Sequence, residues 1–185
     1  PWIATNNDWT IPQSRGIAPG NGTLVSAVHT AVGRLATVAG KPETPIFEVA
    51  VARFGAASTL FLGDRLDTDI LGANRAGMPS ALVLTGIDRP KHVLAADAFS
   101  RPTYILSDLR ELHEPYPEAR TKRDGTVTVG DAAVRIFGND VTLLTAGDKQ
   151  VDVVRAGAKA IWDSGRTIYG LNVDERLYAD PFHRP

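Results

Sequence analysis

Ten consecutive residues constrain this chain more than any others: Leu60-Phe61-Leu62-Gly63-Asp64-Arg65-Leu66-Asp67-Thr68-Asp69. An unbroken apolar run of strand length suits a parallel strand covered by helices on both faces, since no alternate side chain has to meet water. The run breaks at a glycine and a carboxylate. Ligands of open parallel sheets sit outside the carboxyl ends of the strands, so Asp64 is expected to face a crevice, with Asp69 one helical turn further on. Two such carboxylates suit a hard cation, above all Mg²⁺, which needs few protein ligands when water and substrate phosphate complete its octahedron. The same acids also suit an ordinary helix start, where Asp caps free N–H groups and complements the dipole.

A second feature lies upstream, at Gly40-Lys41-Pro42. Pro42 suits the first turn of a helix, where a missing N–H costs nothing. An ammonium beside a helix N-terminus is electrostatically misplaced unless an anion shares the site, so Lys41 makes most sense near a phosphate or a carboxylate cluster. An exposed loop lysine is the plainer alternative.

The surrounding pattern is α/β. Trp2–Thr5 reads as a short strand, and a polar loop carries Pro12, Gly16, Pro19, Gly20 and Gly22. In Thr23–Ala39, Leu24, Val28, Val32, Leu35 and Val38 recur at helical spacing. Ile46, Phe47, Ala50 and Phe54 form the stripe of the next helix, which Gly55 ends. The strand at Thr59–Asp64 follows, then a helix over Asp67–Ala76 stopped by Gly77 and Pro79, and a buried strand over Ser80–Gly86. Alternating helices and strands with short links predict right-handed crossovers and a parallel, Rossmann-like sheet. A short helix over His92–Ala98, a strand at Thr103–Leu106 and a helical turn at Asp108–His113 complete this part.

Glu114-Pro115-Tyr116-Pro117-Glu118 has linker composition, and a boundary is expected there. Beyond it lie three β-like runs (Gly125–Gly130, Ala133–Gly138, Asp140–Thr145), a helix over Lys149–Ser164 and a strand-like Thr167–Val173: a small α+β module.

Composition narrows the chemistry. The chain has 185 residues, 43% hydrophobic, with 20 Lys+Arg against 21 Asp+Glu and no cysteine. A balance of −1 argues against nucleic-acid binding, which normally leaves a strong basic excess. Without cysteine there are no disulfides, thiolate zinc sites, iron–sulfur clusters or cysteine nucleophiles. No apolar run approaches the roughly 20 residues of a membrane span, so no membrane partner and a cytoplasmic location are expected. His29, His92, His113 and His183 lack metal-ligand spacing.

Taken together, Gly40-Lys41-Pro42, then Gly63-Asp64-Arg65-Leu66-Asp67-Thr68-Asp69-Ile70, then Leu82-Val83-Leu84-Thr85-Gly86 resemble the third and fourth motifs of the haloacid dehalogenase superfamily. The pattern is most similar to the NagD-like phosphatases with a large α/β cap. Ile3-Ala4-Thr5-Asn6-Asn7-Asp8, Pro12 and Pro19-Gly20-Asn21-Gly22 are similar to the closing part of that cap. The resemblance covers roughly residues 1–112. It implies the end of a cap over 1–38, the C-terminal half of a phosphatase core over 39–113, a linker at 114–118 and an extension over 119–185. That extension is similar in length and element order to an acetyltransferase-like module carried by some glycerol 3-phosphate phosphatases, and is expected to help assemble a homo-oligomer.

The resemblance further implies magnesium-dependent hydrolysis of a small phosphate monoester through an aspartyl-phosphate. Asp64 would be a direct Mg²⁺ ligand and Asp69 would support the metal through water or hydrogen bonds. Lys41 would bind the phosphoryl group and neutralise the nucleophile, while Asn6 and Arg65 would line the substrate site. The family's nucleophile, an Asp-x-Asp after an N-terminal strand, is missing: the Asp-x-Asp at Asp67–Asp69 belongs to the fourth motif, and Ser107-Asp108 lacks the second acid. A companion N-terminal segment or chain carrying it is therefore expected, also because the strand opening at Pro1 reads as one already under way. The alternative is a phosphatase-derived module that binds or oligomerises without chemistry.

Overall fold

The structure, a computed structural model, describes residues 1–55 and 58–182. Its contacts divide the chain into two compact units, Pro1–Leu82 with Pro102–Tyr104, and Val83–Arg101 with Ile105–Pro185.

The first unit opens with β1 (Ile3–Ala4), followed by a hairpin of β2 (Thr10–Gln13) and β3 (Gly16–Pro19). The hairpin occupies what the sequence suggested was loop: its strands are short and exposed, so no apolar alternation marks them. Helix α1 (Asn21–Val32) ends earlier than the spacing predicts. Gly33, at φ 66°, turns the chain left-handed and donates its N–H to His29, which releases Leu35 and Val38 from the helix. Val38 falls instead in β4 (Thr37–Val38), which pairs in parallel with β1.

Helix α2 (Pro45–Phe54) starts with Pro45 in its first turn and stops at Gly55, φ 58°. Pro42 precedes the helix, after a cis Lys41–Pro42 peptide. Strand β5 (Phe61–Gly63) leads into a wide π-helical turn at Leu66–Ile70, where the Ile70 N–H reaches back to the Arg65 carbonyl, and then into α3 (Leu71–Arg75). β6 (Ser80–Val83) pairs in parallel with β5, with Gly63 opposite Leu82. The ring of Phe47 in α2 packs tilted against that of Phe61 with centroids 4.8 Å apart, and Ile70, Ala73, Ala81 and Leu82 are fully enclosed. In contrast, Leu24, Val28 and Val32 of α1, Leu60 just before β5 and Leu62 within it lie exposed.

The second unit contains α4 (Pro90–Leu94), most of β7 (Tyr104–Leu106) and a 3₁₀ turn at Leu109–His113 capped by Asp108. It continues with β8 (Ala119–Thr121), β9 (Val127–Val129), β10 (Ala132–Phe137), β11 (Asp140–Thr145), α5 (Gln150–Asp163) and β12 (Asn172–Val173). The sheet order is β12-β11-β10-β9-β8, antiparallel apart from the β11–β12 pair. Helix α5 packs on this sheet with Val151, Val153, Val154, Ala158 and Ile161 buried, and Gly157 lets Leu94 and Leu177 approach its backbone.

Glu114–Glu118 lies within this second unit. The Tyr116 hydroxyl accepts the Ile105 N–H at 3.1 Å, and Arg155 covers its ring at 4.5 Å. Burial pushes the Tyr116 phenol above its usual range despite the hydrogen bond from Ile105 and the nearby Arg155 charge. Among the described residues no helix is long and apolar enough to cross a membrane.

Candidate active site

Close backbone approach builds the site in the first unit. A methyl group on Gly40 would lie 1.9 Å from the Thr5 carbonyl oxygen, so only glycine lets the turn before α2 lie against the loop after β1. The Asn7 N–H donates to the Lys41 carbonyl at 2.9 Å, and the Glu43 N–H to that of Gly40. Lys41 is thereby held beside the Asn6–Asp8 loop, far from it in sequence.

Asp69 collects the other half. Its carboxylate is only 4% exposed. One oxygen accepts the Lys41 ammonium at 2.6 Å, and the other accepts the backbone N–H groups of Asp64 at 3.0 Å and Arg65 at 3.1 Å. The π-helical turn brings Asp69 back under the end of β5, and Gly63 leaves it room: a Cβ there would lie 2.3 Å from Cβ of Asp69. Asp8 completes the cluster with Oδ2 at 3.5 Å from the Lys41 ammonium. Burial works against the charge on Lys41, but the hydrogen bond and charge of Asp69, with those of Asp8, outweigh it and raise its pKa above 10.5.

Of the residues selected from sequence, Lys41, Asp64 and Asp69 are joined by these hydrogen bonds. Asn6 faces inward to its own loop: its side-chain oxygen accepts the Asp8 N–H at 3.1 Å, and its carbonyl accepts Asn21 at 2.7 Å. Arg65 lies along the hairpin, forking onto Asp67 at 2.9 and 2.8 Å and reaching the carbonyl and hydroxyl of Thr10. Asp8 was not selected, because a single acid in a polar loop carries no local signal. His92 pairs with Asp88 at 3.0 Å, and His183 lies outside the described residues.

Among the described residues no group of three or more His, Asp or Glu forms a ready metal cage. The available donors are hard carboxylate oxygens. Asp64 is half-buried at a strand end, its backbone held by Asp69, and Oδ1 of Asp8 is buried with no hydrogen-bond partner among the described residues. That set fits Mg²⁺, which needs only one or two carboxylates, and does not suit a metal demanding a full protein cage.

The chain has clear relatives. It is 43% identical over 166 residues to the D-glycerol 3-phosphate phosphatase of Mycobacterium tuberculosis, covering 88% of this chain and 47% of that protein. It is 38% identical over 112 residues to a 5'-nucleotidase of Bacillus subtilis, covering 60% of this chain and 43% of that one. The crystal structure of a glycerol phosphate phosphatase from Mycobacterium tuberculosis in complex with magnesium superposes with a TM-score of 0.77 at 40% identity, over 95% of this chain and 52% of that one. The chain thus spans about half the length of the relatives it matches. The mycobacterial alignment is too long to end before residue 119, so part of the C-terminal module is shared with that protein. Residues 38–112 match the family model of the haloacid dehalogenase (HAD)-like hydrolases, so this segment of the chain is similar to that family.

Proposed function

We propose that this chain supplies the C-terminal part of a magnesium-dependent phosphatase acting on a small phosphate monoester, glycerol 3-phosphate being the favoured substrate. One observation carries the reading: a single buried carboxylate, Asp69, binds the ammonium of Lys41 and the backbone of Asp64 at once, uniting an anion-binding group with a strand-end acid. The names of the mycobacterial relatives support the substrate and the metal.

In this reading Asp64, with Asp69 in support, would hold Mg²⁺, which when bound would supply Lewis-acid stabilisation and alignment of the phosphoryl group. Lys41, kept charged by its carboxylate partners, contributes electrostatic stabilisation of the phosphoryl oxygens. Arg65, tied to Thr10, fixes the hairpin beside the site, and Asn6 shapes the loop that carries Asp8. The aspartate that attacks phosphorus and becomes aspartyl-phosphate lies outside residues 1–185. The apolar side chains exposed on α1 and at Leu60 and Leu62 support a covering polypeptide of this kind. Residues 39–113 then form the second half of the catalytic core, and residues 119–185 an extension that serves assembly.

The test replaces Asp64→Asn and Lys41→Ala separately in the full-length phosphatase. Each is expected to lower kcat/KM at least a hundredfold, about 2.7 kcal/mol of barrier. If both leave hydrolysis within threefold, the site is elsewhere.

A further inference from the structure

Lys41 has two carboxylate neighbours, and only one is explained by the acid-rich segment after β5. The second, Asp8, arrives from the other end of the unit with its position closely specified. Its N–H is held by the side chain of Asn6, and its carbonyl accepts the Gly22 N–H at 2.9 Å. Gly20 leaves room for that carbonyl, which would lie 2.2 Å from a Cβ at position 20. The neighbouring Asn7 N–H is bonded to the Lys41 backbone itself. A loop tied down at this many points delivers Oδ2 of a carboxylate to 3.5 Å from an ammonium, while its Oδ1 is buried with no hydrogen-bond partner among the described residues.

We infer that Asp8 is a positioning residue for Lys41, fixing the ammonium between two carboxylates so that its remaining N–H points at the phosphoryl group. An ammonium carries three donors on a flexible stem, and one partner alone leaves it free to rotate about that bond. A second carboxylate within 3.5 Å restricts that rotation and leaves a single donor for an anion. This inference rests on the reading of Lys41 as the phosphoryl-binding group and adds the residue that orients it.

A double-mutant cycle separates orientation from mere folding. In the full-length phosphatase, Asp8→Asn is expected to lower kcat/KM about tenfold with the Lys41 side chain present, and less than twofold in a Lys41→Met background. Asp8→Glu should recover part of the loss. In the same full-length protein, the ¹H–¹⁵N ammonium signal of Lys41, assigned by its disappearance in Lys41→Met, should broaden severalfold in Asp8→Asn while the circular dichroism stays unchanged. Equal losses in both backgrounds, or an unaltered ammonium signal, overturn the role of Asp8 and leave Lys41 intact as a phosphate ligand. If Lys41→Met is itself harmless, the reading of Lys41 falls first and the inference with it.

Discussion

Asp69 is the residue whose loss the geometry prices most directly. Replacing it with Ala removes the 2.6 Å partner of the half-buried Lys41 ammonium and the carboxylate oxygen that accepts the N–H groups of Asp64 and Arg65. Removing one member of a buried ion pair typically destabilises by about 3–5 kcal/mol, and here Lys41 retains Asp8 and some solvent, so the lower end, about 3 kcal/mol, is expected. Asn is a subtler test. Its amide has one acceptor oxygen and one NH₂, so it can serve the backbone or the ammonium but never both, and an NH₂ turned to Lys41 meets a donor. Losing one hydrogen bond to a charged group gives a cost of about 1.5–3 kcal/mol.

Urea unfolding of the 185-residue chain, followed by circular dichroism, reads both values. With a slope of about 2 kcal/mol per molar, Asp69→Asn should lower the midpoint by roughly 1 M. The pH dependence has a definite sign. Because the pairing raises the pKa of Lys41 above 10.5, its contribution is complete below 10.5 and disappears as the pH climbs through the raised value. Asp69→Asn should therefore flatten part of the stability loss above that pH. Midpoints within 0.2 M of wild type (~0.4 kcal/mol) for both variants would refute the idea that Asp69 holds the site together.

Two further predictions concern packing. Gly40→Ala forces a methyl group into the Thr5 carbonyl at 1.9 Å; it should cost about 1–3 kcal/mol in urea unfolding and lower hydrolysis by the full-length phosphatase, since the Lys41 turn must separate from the Asp8 loop. Arg155→Met in α5 strands the carboxylates of Asp152 and Glu111, at 2.7 and 2.8 Å from the lost guanidinium, and frees the Ile105 carbonyl. It should cost about 3–5 kcal/mol, with at least half recovered when Asp152→Asn and Glu111→Gln are added, as read by urea unfolding monitored at Trp162.

How far the sequence could be read follows from how local each signal is. The break of an apolar run at Gly63-Asp64, the stop at Gly55 and the α5 stripe are all written within a few neighbours, and the elements are found there. The end of α1 departs from the spacing for the same reason: Leu35 and Val38 continue a helical periodicity that Gly33 has already interrupted. The β2–β3 hairpin left no apolar alternation because its residues face outward.

The sequence by itself determined the chemical identity of the groups: a lysine beside Pro42, a carboxylate at a strand end and a second acid one turn on. Tertiary structure alone decided their arrangement. Lys41 meets Asp69 across 28 residues, and Asp8 reaches the same ammonium because Gly40 lets two backbone segments touch. It also turned Asn6 and Arg65 toward their own loop and hairpin. The physical reason is that charges pair through space, at distances set by which backbones can approach closely, and approach between segments remote in sequence leaves no periodic trace along the chain.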